Sequence, residues 1–271
     1  VPPVAGGVAP EQLDGAVMRH WTTPLSIVTV LALWEIACRA FAIPAYILPT
    51  PSEIAVAAWD FGWGWLPSIY ETLLTVGCGF GLALVVGFPL AVWIARSAVA
   101  YQAIYPLLVI KQSTPVVAIA PIIVVSFGTG LLAKALVAAT VAIFPIVVST
   151  ATGLMATPKE YLELARSVHE DPWKALIRIR LPFAVRHIFS GLRVSITLAV
   201  IGAVVAEFVS AGRGLGYLVY SSTAFMRTSL AFAALLILGI VGLCLFALVG
   251  FIQNTAFPWA KEVPDGGDVD A

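Results

Sequence analysis

Charge is scarce in this sequence. Lys, Arg, Asp and Glu make up 11% of 271 residues, against about 25% in an ordinary soluble domain. The two signs balance at fifteen each, so no global field exists to gather nucleic acid or any other charged partner. Cysteine is nearly absent: Cys38, Cys78 and Cys244 fall in three different apolar runs, with no CxxC or Cys/His spacing. They read as small packing residues rather than metal ligands or disulfides. No G-x-x-x-x-G-K-[ST] occurs, so the phosphate cradle of an NTPase is missing. With three scattered histidines, no H-E-x-x-H and no G-x-S-x-G, nothing in the sequence points to a zinc or serine hydrolase.

Apolar length is abundant. Apolar residues make up 60% of the chain and mean hydropathy is +0.98. A folded domain of this size still exposes roughly a quarter of its surface, so the solvent for that surface is lipid. A bilayer takes about 20 apolar residues. Residues 72–95, 112–133, 135–158 and 228–260 are uncharged runs of that order. Two more, 24–43 and 188–210, are interrupted by Glu35 with Arg39 and by Arg193 with Glu207. The sequence thus predicts an all-α membrane protein of about six spans, the third starting a little before Lys111. Residues 1–20 and 261–271 are tails, 21–260 the membrane domain, and 154–187 a polar loop between spans four and five. The first run has only Arg19 as a basic flank, so it reads as a helix rather than a signal peptide. A start at Val1 rather than methionine reads as a trimmed or partial terminus.

Six spans put both ends on one side. With the termini in the cytoplasm, Arg19, Arg96, Lys159, Arg166, Lys174, Arg178, Arg180, Arg186, Arg193 and Lys261 fall inside. Arg39, Lys134, Arg213 and Arg227 fall outside, and the basic excess favours this orientation. The polar loop is then cytoplasmic. Thr157-Pro158-Lys159-Glu160 predicts a capping box with Pro at the first helical position. Tyr161, Leu164, Ala165 and Val168 follow as an amphipathic stripe. Asp171-Pro172 predicts a second start, leading to Trp173, Leu176, Ile177 and Arg180 on one face, with Pro182 ending the unit. Such faces dock on their own membrane helices or on a cytosolic partner, and Trp173 beside Lys174 and Arg178 has an interface anchor's composition.

This loop resembles the EAA loop of ABC-transporter permease subunits: Glu-Ala-Ala, three residues, Gly, nine residues, Ile, one residue, Leu-Pro. Glu163-Leu164-Ala165 and Ile179-Arg180-Leu181-Pro182 stand at that spacing, with His169 at the Gly position. Leu48-Pro49-Thr50-Pro51-Ser52, Ala118-Ile119-Ala120-Pro121, Phe127-Gly128-Thr129-Gly130, Phe144-Pro145, Ala206-Glu207-Phe208 and Gly214-Leu215-Gly216-Tyr217 resemble the nitrate/sulfonate/bicarbonate branch of these importers. The resemblance implies a MetI-like permease that pairs with a second copy, docks two ATPase subunits and receives solute from an extracytoplasmic binding protein. ATP and Mg²⁺ belong on the ATPase, with no cofactor on this chain and no nucleic-acid partner. It assigns coupling to Glu170 through Arg180, including Asp171, Trp173, Lys174, Ile177, Arg178 and Ile179, and loop shape to Glu163, Ala165, Leu181 and Pro182. His169 implies either a tight right-handed turn helped by Asp171-Pro172 or a partner contact, the turn being the favoured expectation. Branch members import small anions or organic solutes such as pyrimidine and flavin precursors, and the wording of spans three and four leans to the organic group.

Intramembrane polar groups complete the candidates. Glu207 either bonds to backbone or Arg213 and fixes a helix end, or lines the outer mouth of a pathway. Glu35 and Arg39 stand an i,i+4 step apart and satisfy each other. Lys111 snorkels to the inner interface, or Lys111 with Gln112, Ser113 and Thr114 supplies polar lining. Gly77 and Gly81 predict close helix packing. Pro115, Pro121 and Pro145 predict interruptions of spans three and four. The competing class is an ion-coupled transporter using Glu207 or Glu35, weakened by the lack of a visible internal repeat.

Overall fold

Small residues set how closely the helices of this protein approach one another. The computed structural model describes residues 11–210 and 212–260, with side chains from Leu25 onward. Of the expected tails, residues 1–10 and 261–271 lie outside the described residues, while 11–20 are the first residues of a helix that runs on to Ala40. All described elements are helices.

The contacts divide the chain into two units. The first holds α1 (Glu11–Ala40), α2 (Pro51–Phe61) and residues 222–233. Glu35 and Arg39 pair at 2.6 Å, as their spacing predicts. Glu35 also accepts the Ser52 amide at 3.1 Å and its hydroxyl at 2.8 Å. A complete capping box opens α2: Thr50 Oγ1 accepts from the Glu53 amide, Glu53 accepts from the Thr50 amide, and Pro51 takes the first turn. Cys38 is buried in this unit.

The second unit holds α3 (Trp65–Arg96), α4 (Ala98–Ser113), α5 (Val116–Phe127), α6 (Leu131–Met155), α7 (Lys159–Ser167), α8 (Pro172–Ala175) and α9 (Leu181–Val209). α10 (Leu215–Ala224) and α11 (Thr228–Ala256) continue the chain from one unit into the other. The core is α6 packed between α3 and α9. Lipid offers no hydrophobic drive for helix association, so close backbone approach has to supply the packing energy. Ala138 is where this happens. A Cβ on Gly79 of α3 would meet Ala138 Cβ at 2.5 Å, and one on Gly202 of α9 would meet Ala138 Cα at 2.7 Å. The expected pair, Gly77 and Gly81, has nothing within 4 Å inside the chain. The packing glycine is Gly79, one step round the same run. Cys78 and Cys244 are exposed within the chain rather than packed.

Four helical stretches are long and apolar enough to cross a membrane: Pro51–Arg96, Leu131–Met155, Pro172–Val209 and Thr228–Ala256. The pair α4 and α5, bent by 97°, gives a fifth if counted as one broken span. Of α1, only residues 25–40 are described in full, fewer than a span needs. The third span differs from expectation. It begins at Ala98, well before Lys111, and breaks at Thr114–Pro115. Pro115 has no amide to continue the helix, and Thr114 is held extended at ψ 125 as residues before proline are. Pro121 and Pro145 lie inside continuous helices, so of the three expected interruptions only Pro115 breaks the backbone. The intramembrane Arg193 donates to Gln253 Oε1 at 2.7 Å, and Gln253 Nε2 donates to the Ala260 carbonyl at 2.9 Å.

Candidate functional site

The polar loop begins where α6 ends. Its expected capping box does not form. α7 starts at Lys159, and the Thr157 hydroxyl turns back to the Leu154 carbonyl at 3.3 Å. Ala165 is the buried residue of α7, while Leu164 and Val168 of the apolar stripe stay exposed. Tyr161 packs against Phe183 with ring centroids 5.1 Å apart and the planes tilted by 51°.

The turn after α7 is left-handed. His169 has φ +53, which overturns the expected right-handed turn. The His169 amide bonds to the Arg166 carbonyl at 3.0 Å, and the Glu170 amide to the Ala165 carbonyl at 2.9 Å. These two bonds are the Schellman pattern that closes helix ends. They satisfy carbonyls that would otherwise be orphaned, which offsets the steric cost of a side chain in left-handed backbone. Histidine is among the non-glycine residues enriched in that region.

Asp171 is the N-cap of α8 and Pro172 its first residue, as expected, although the Asp171 side chain makes no cap bond. Pro182 does not end the unit. α8 continues through one π-helical turn, Leu176–Arg180, directly into α9. The Leu181 amide reaches back five residues to the Leu176 carbonyl. The Pro182 ring, which would crowd the carbonyl four residues before it, accounts for the wider turn.

Leu176 anchors this segment, buried with Leu154, Ala184 and Ile188. Trp173 and Ile177 remain 57% and 61% exposed. The Arg96 guanidinium, at the last turn of α3, lies 4.0 Å over the Trp173 ring. Arg96 also lines a cavity of about 280 Å³, together with Arg166, Glu170 and Arg180. Glu170 pairs with Arg178 at 3.4 Å. Glu163, Asp171 and Lys174 are exposed, and Ile179 and Leu181 are half-buried. The loop thus brings the predicted coupling residues onto one capped segment, with Leu164, Val168, Trp173 and Ile177 as uncovered apolar side chains.

The intramembrane candidates separate into two places. Gln112, Ser113 and Thr114, with Lys111 and Thr140, line a cavity of about 210 Å³ at the α4–α5 break. Glu207 lies elsewhere and is fully buried. Its carboxylate accepts Thr72 Oγ1 at 2.9 and 3.1 Å and the Gly216 amide at 2.8 Å. The Leu215 amide in turn donates to Thr72 Oγ1 at 2.8 Å. Its partners are backbone and Thr72 rather than the Arg213 guanidinium. A second buried group escaped sequence reasoning. Lys134, expected in an outer loop, sits in the first turn of α6 with 5% of its side chain exposed. It pairs with Glu71 at 2.9 Å and donates to the Arg213 carbonyl at 3.5 Å.

Residues 83–258 match the family described as binding-protein-dependent transport system inner membrane component. A probable ABC transporter permease protein of Haemophilus influenzae is 35% identical over 88% of this chain and 97% of its own length. The formylaminopyrimidine transport permease protein ThiX of Halalkalibacterium halodurans is 32% identical over 88% of this chain and 95% of that protein. Among solved structures, a chain of the inward-facing MetNI methionine ABC transporter superposes with a TM-score of 0.63 at 21% identity, covering 75% of this chain and 99% of that one.

Proposed function

This chain belongs to the family of binding-protein-dependent transport system inner membrane components, and from that premise we propose how it is driven, oriented and assembled. It is an integral inner-membrane permease subunit of an ABC importer, not an enzyme, and has the helical fold of the methionine importer neighbour. The ion-coupled alternative finds no support. In our reading, two copies of the chain form the passage, each with its termini in the cytoplasm. Two ATPase subunits, which hold the ATP and Mg²⁺, grip residues 160–182. An extracytoplasmic binding protein delivers a small solute, and the organic class that the pyrimidine-transporting relative handles is the first to test.

One observation carries the coupling assignment. A short segment, closed at one end by the His169 turn and fused at the other to α9, leaves Trp173 and Ile177 uncovered beside Lys174 and Arg178. Apolar anchors ringed by charge are what a protein interface uses. Closure of the ATPase pair would then move α8 and, through the π-turn, α9. The direct test is affinity purification of the tagged chain with its ATPase. Trp173→Ala should lower ATPase recovery by at least tenfold while the permease remains in the membrane at normal level. Full recovery with Trp173→Ala, Ile177→Ala and the double variant would overturn the assignment.

A further inference from the structure

Three arginines meet at the root of the polar loop. Arg96 ends α3, Arg166 lies in the last turn of α7, and Arg180 ends the π-turn. All three line the cavity of about 280 Å³. Much of the remaining wall is apolar, with Ala165 and Leu176 buried and Ala95, Leu162 and Ala175 half-buried. Glu170 is the acid in the lining, and Arg178, from outside it, already engages that carboxylate at 3.4 Å. Among the described residues, ion pairs are made by Arg39, Lys134 and Arg178, and by none of these three arginines. Charges of one sign gathered on a small cavity repel one another, and one shared carboxylate does not balance three guanidinium groups.

Local roles do not account for the cluster. Basic residues at helix ends commonly serve the last carbonyls. At the end of α7, however, the carbonyls of Leu164, Ala165 and Arg166 already accept the amides of Val168, Glu170 and His169. Arg96 lies 4.0 Å over the Trp173 ring, and an indole offers no acceptor for its N–H groups.

The cavity stands at the membrane surface. The uncharged run of α3, residues 72–95, is ~36 Å of helix at 1.5 Å per residue. The hydrocarbon core of a bilayer is about 30 Å thick. The end of that run, where Ala95 and Arg96 line the cavity, therefore falls at headgroup level. Guanidinium forks match the oxygens of phosphate, and basic pockets between membrane helices are where anionic headgroups are held. The volume is below that of pockets for drug-sized ligands, which suits a headgroup phosphate and not a whole nucleotide.

We propose that this cavity holds the phosphate of an anionic lipid headgroup, with Arg96, Arg166 and Arg180 as its donors. The site goes beyond the permease reading. One bound lipid ties α3, α7 and the π-turn together, and so holds α8 in place from the membrane side.

The test uses the full chain, delipidated in a neutral detergent. It is titrated by calorimetry with short-chain phosphatidylglycerol, short-chain phosphatidylcholine and inorganic phosphate. Phosphatidylglycerol should bind saturably, at one site per chain, and zwitterionic phosphatidylcholine much more weakly. Arg166→Gln and Arg180→Gln, made singly, should each weaken phosphatidylglycerol by about tenfold or more, as loss of a hydrogen bond between charged groups requires. Lys159→Gln, which removes an exposed charge of the same loop outside the lining, should leave binding unchanged. Arg166→Lys keeps the charge without the planar fork and should fall between; it gives the readout if a Gln variant does not fold. Binding that does not saturate, or that the Arg166 and Arg180 variants leave as in the parent, overturns the proposal. Inorganic phosphate bound as tightly at the same arginines overturns the lipid as its source and assigns a free phosphate. Displacement of the lipid by the ATPase subunit overturns it in favour of a partner's carboxylate. Copurification of that subunit is scored separately, so failure of the permease reading registers there and not in the lipid titration.

Discussion

Thr72 and Glu207, 135 positions apart, are joined by a hydroxyl that donates to the carboxylate at 2.9 Å and accepts the Leu215 amide at 2.8 Å. One side chain of α3 thus ties the end of α9 to the start of α10. Thr72→Val keeps the shape and removes both bonds, leaving a fully buried carboxylate short of a partner and an amide without one. Each such loss costs about 1–3 kcal/mol. Thermal unfolding in detergent should show a clear drop in midpoint for Thr72→Val, while Thr72→Ser stays close to the parent. Equal midpoints would mean that water replaces the threonine.

Gly214 belongs to the same knot. Its φ is +126, and a Cβ there would run into the Glu207 carboxyl group. Gly214→Ala should therefore be more damaging than Gly216→Ala, whose added Cβ would lie 2.9 Å from Oε2. The comparison is read as folded yield on size-exclusion chromatography. A well-folded Gly214→Ala protein would show that Glu207 can move aside.

Lys134 and Glu71 make a second tie between α3 and α6. Removing one partner of a buried pair costs about 3–5 kcal/mol, because the other charge is left desolvated. Glu71 is a quarter exposed, so the lower end of that range applies. Lys134→Met leaves an exposable carboxylate and should be milder than Glu71→Leu, which strands the buried ammonium. The double variant should recover most of the loss. A double-mutant cycle on unfolding midpoints checks this, and additive losses would exclude a direct pairing.

His169 is the residue to change at the turn. His169→Gly relieves a left-handed strain of about 1–2 kcal/mol, less what glycine adds to the unfolded chain's freedom, for a net gain of a few tenths to about 1 kcal/mol. It should keep ATP-driven uptake. His169→Val, β-branched in left-handed backbone, should lose ATPase recovery at least tenfold. If His169→Gly abolishes uptake at normal expression, the imidazole is a partner contact after all.

Much of this fold can be read directly from the chain. Long uncharged runs announce helices α3, α6 and α11, and the spacing from Glu163 to Pro182 marks the proposed coupling segment before any coordinates. What escapes is pairing across distance. Lys134 reads as a loop charge because its run is bounded by it, and its partner Glu71 lies 63 positions away. Thr72 looks like an ordinary apolar-span threonine until Glu207 is brought beside it. α4 is missed because Gln102 and Pro106 disguise an apolar stretch whose Pro106 lies within a continuous helix. The His169 turn is misjudged for a local reason: a side chain in left-handed backbone is disfavoured in isolation, and only the two Schellman bonds make it the better choice.

The passage from α8 through the π-turn into α9 has a mechanical meaning. From Pro172 to Val209 the backbone is one rod, which on the proposed docking would be gripped at one end and immersed along the rest. A push on Trp173 reaches the bilayer without crossing a slack joint, so the stroke delivered at depth scales with the stroke applied outside. The one wide turn at Leu176–Arg180 is the rod's softest link, and it sets where the rod would flex if overloaded.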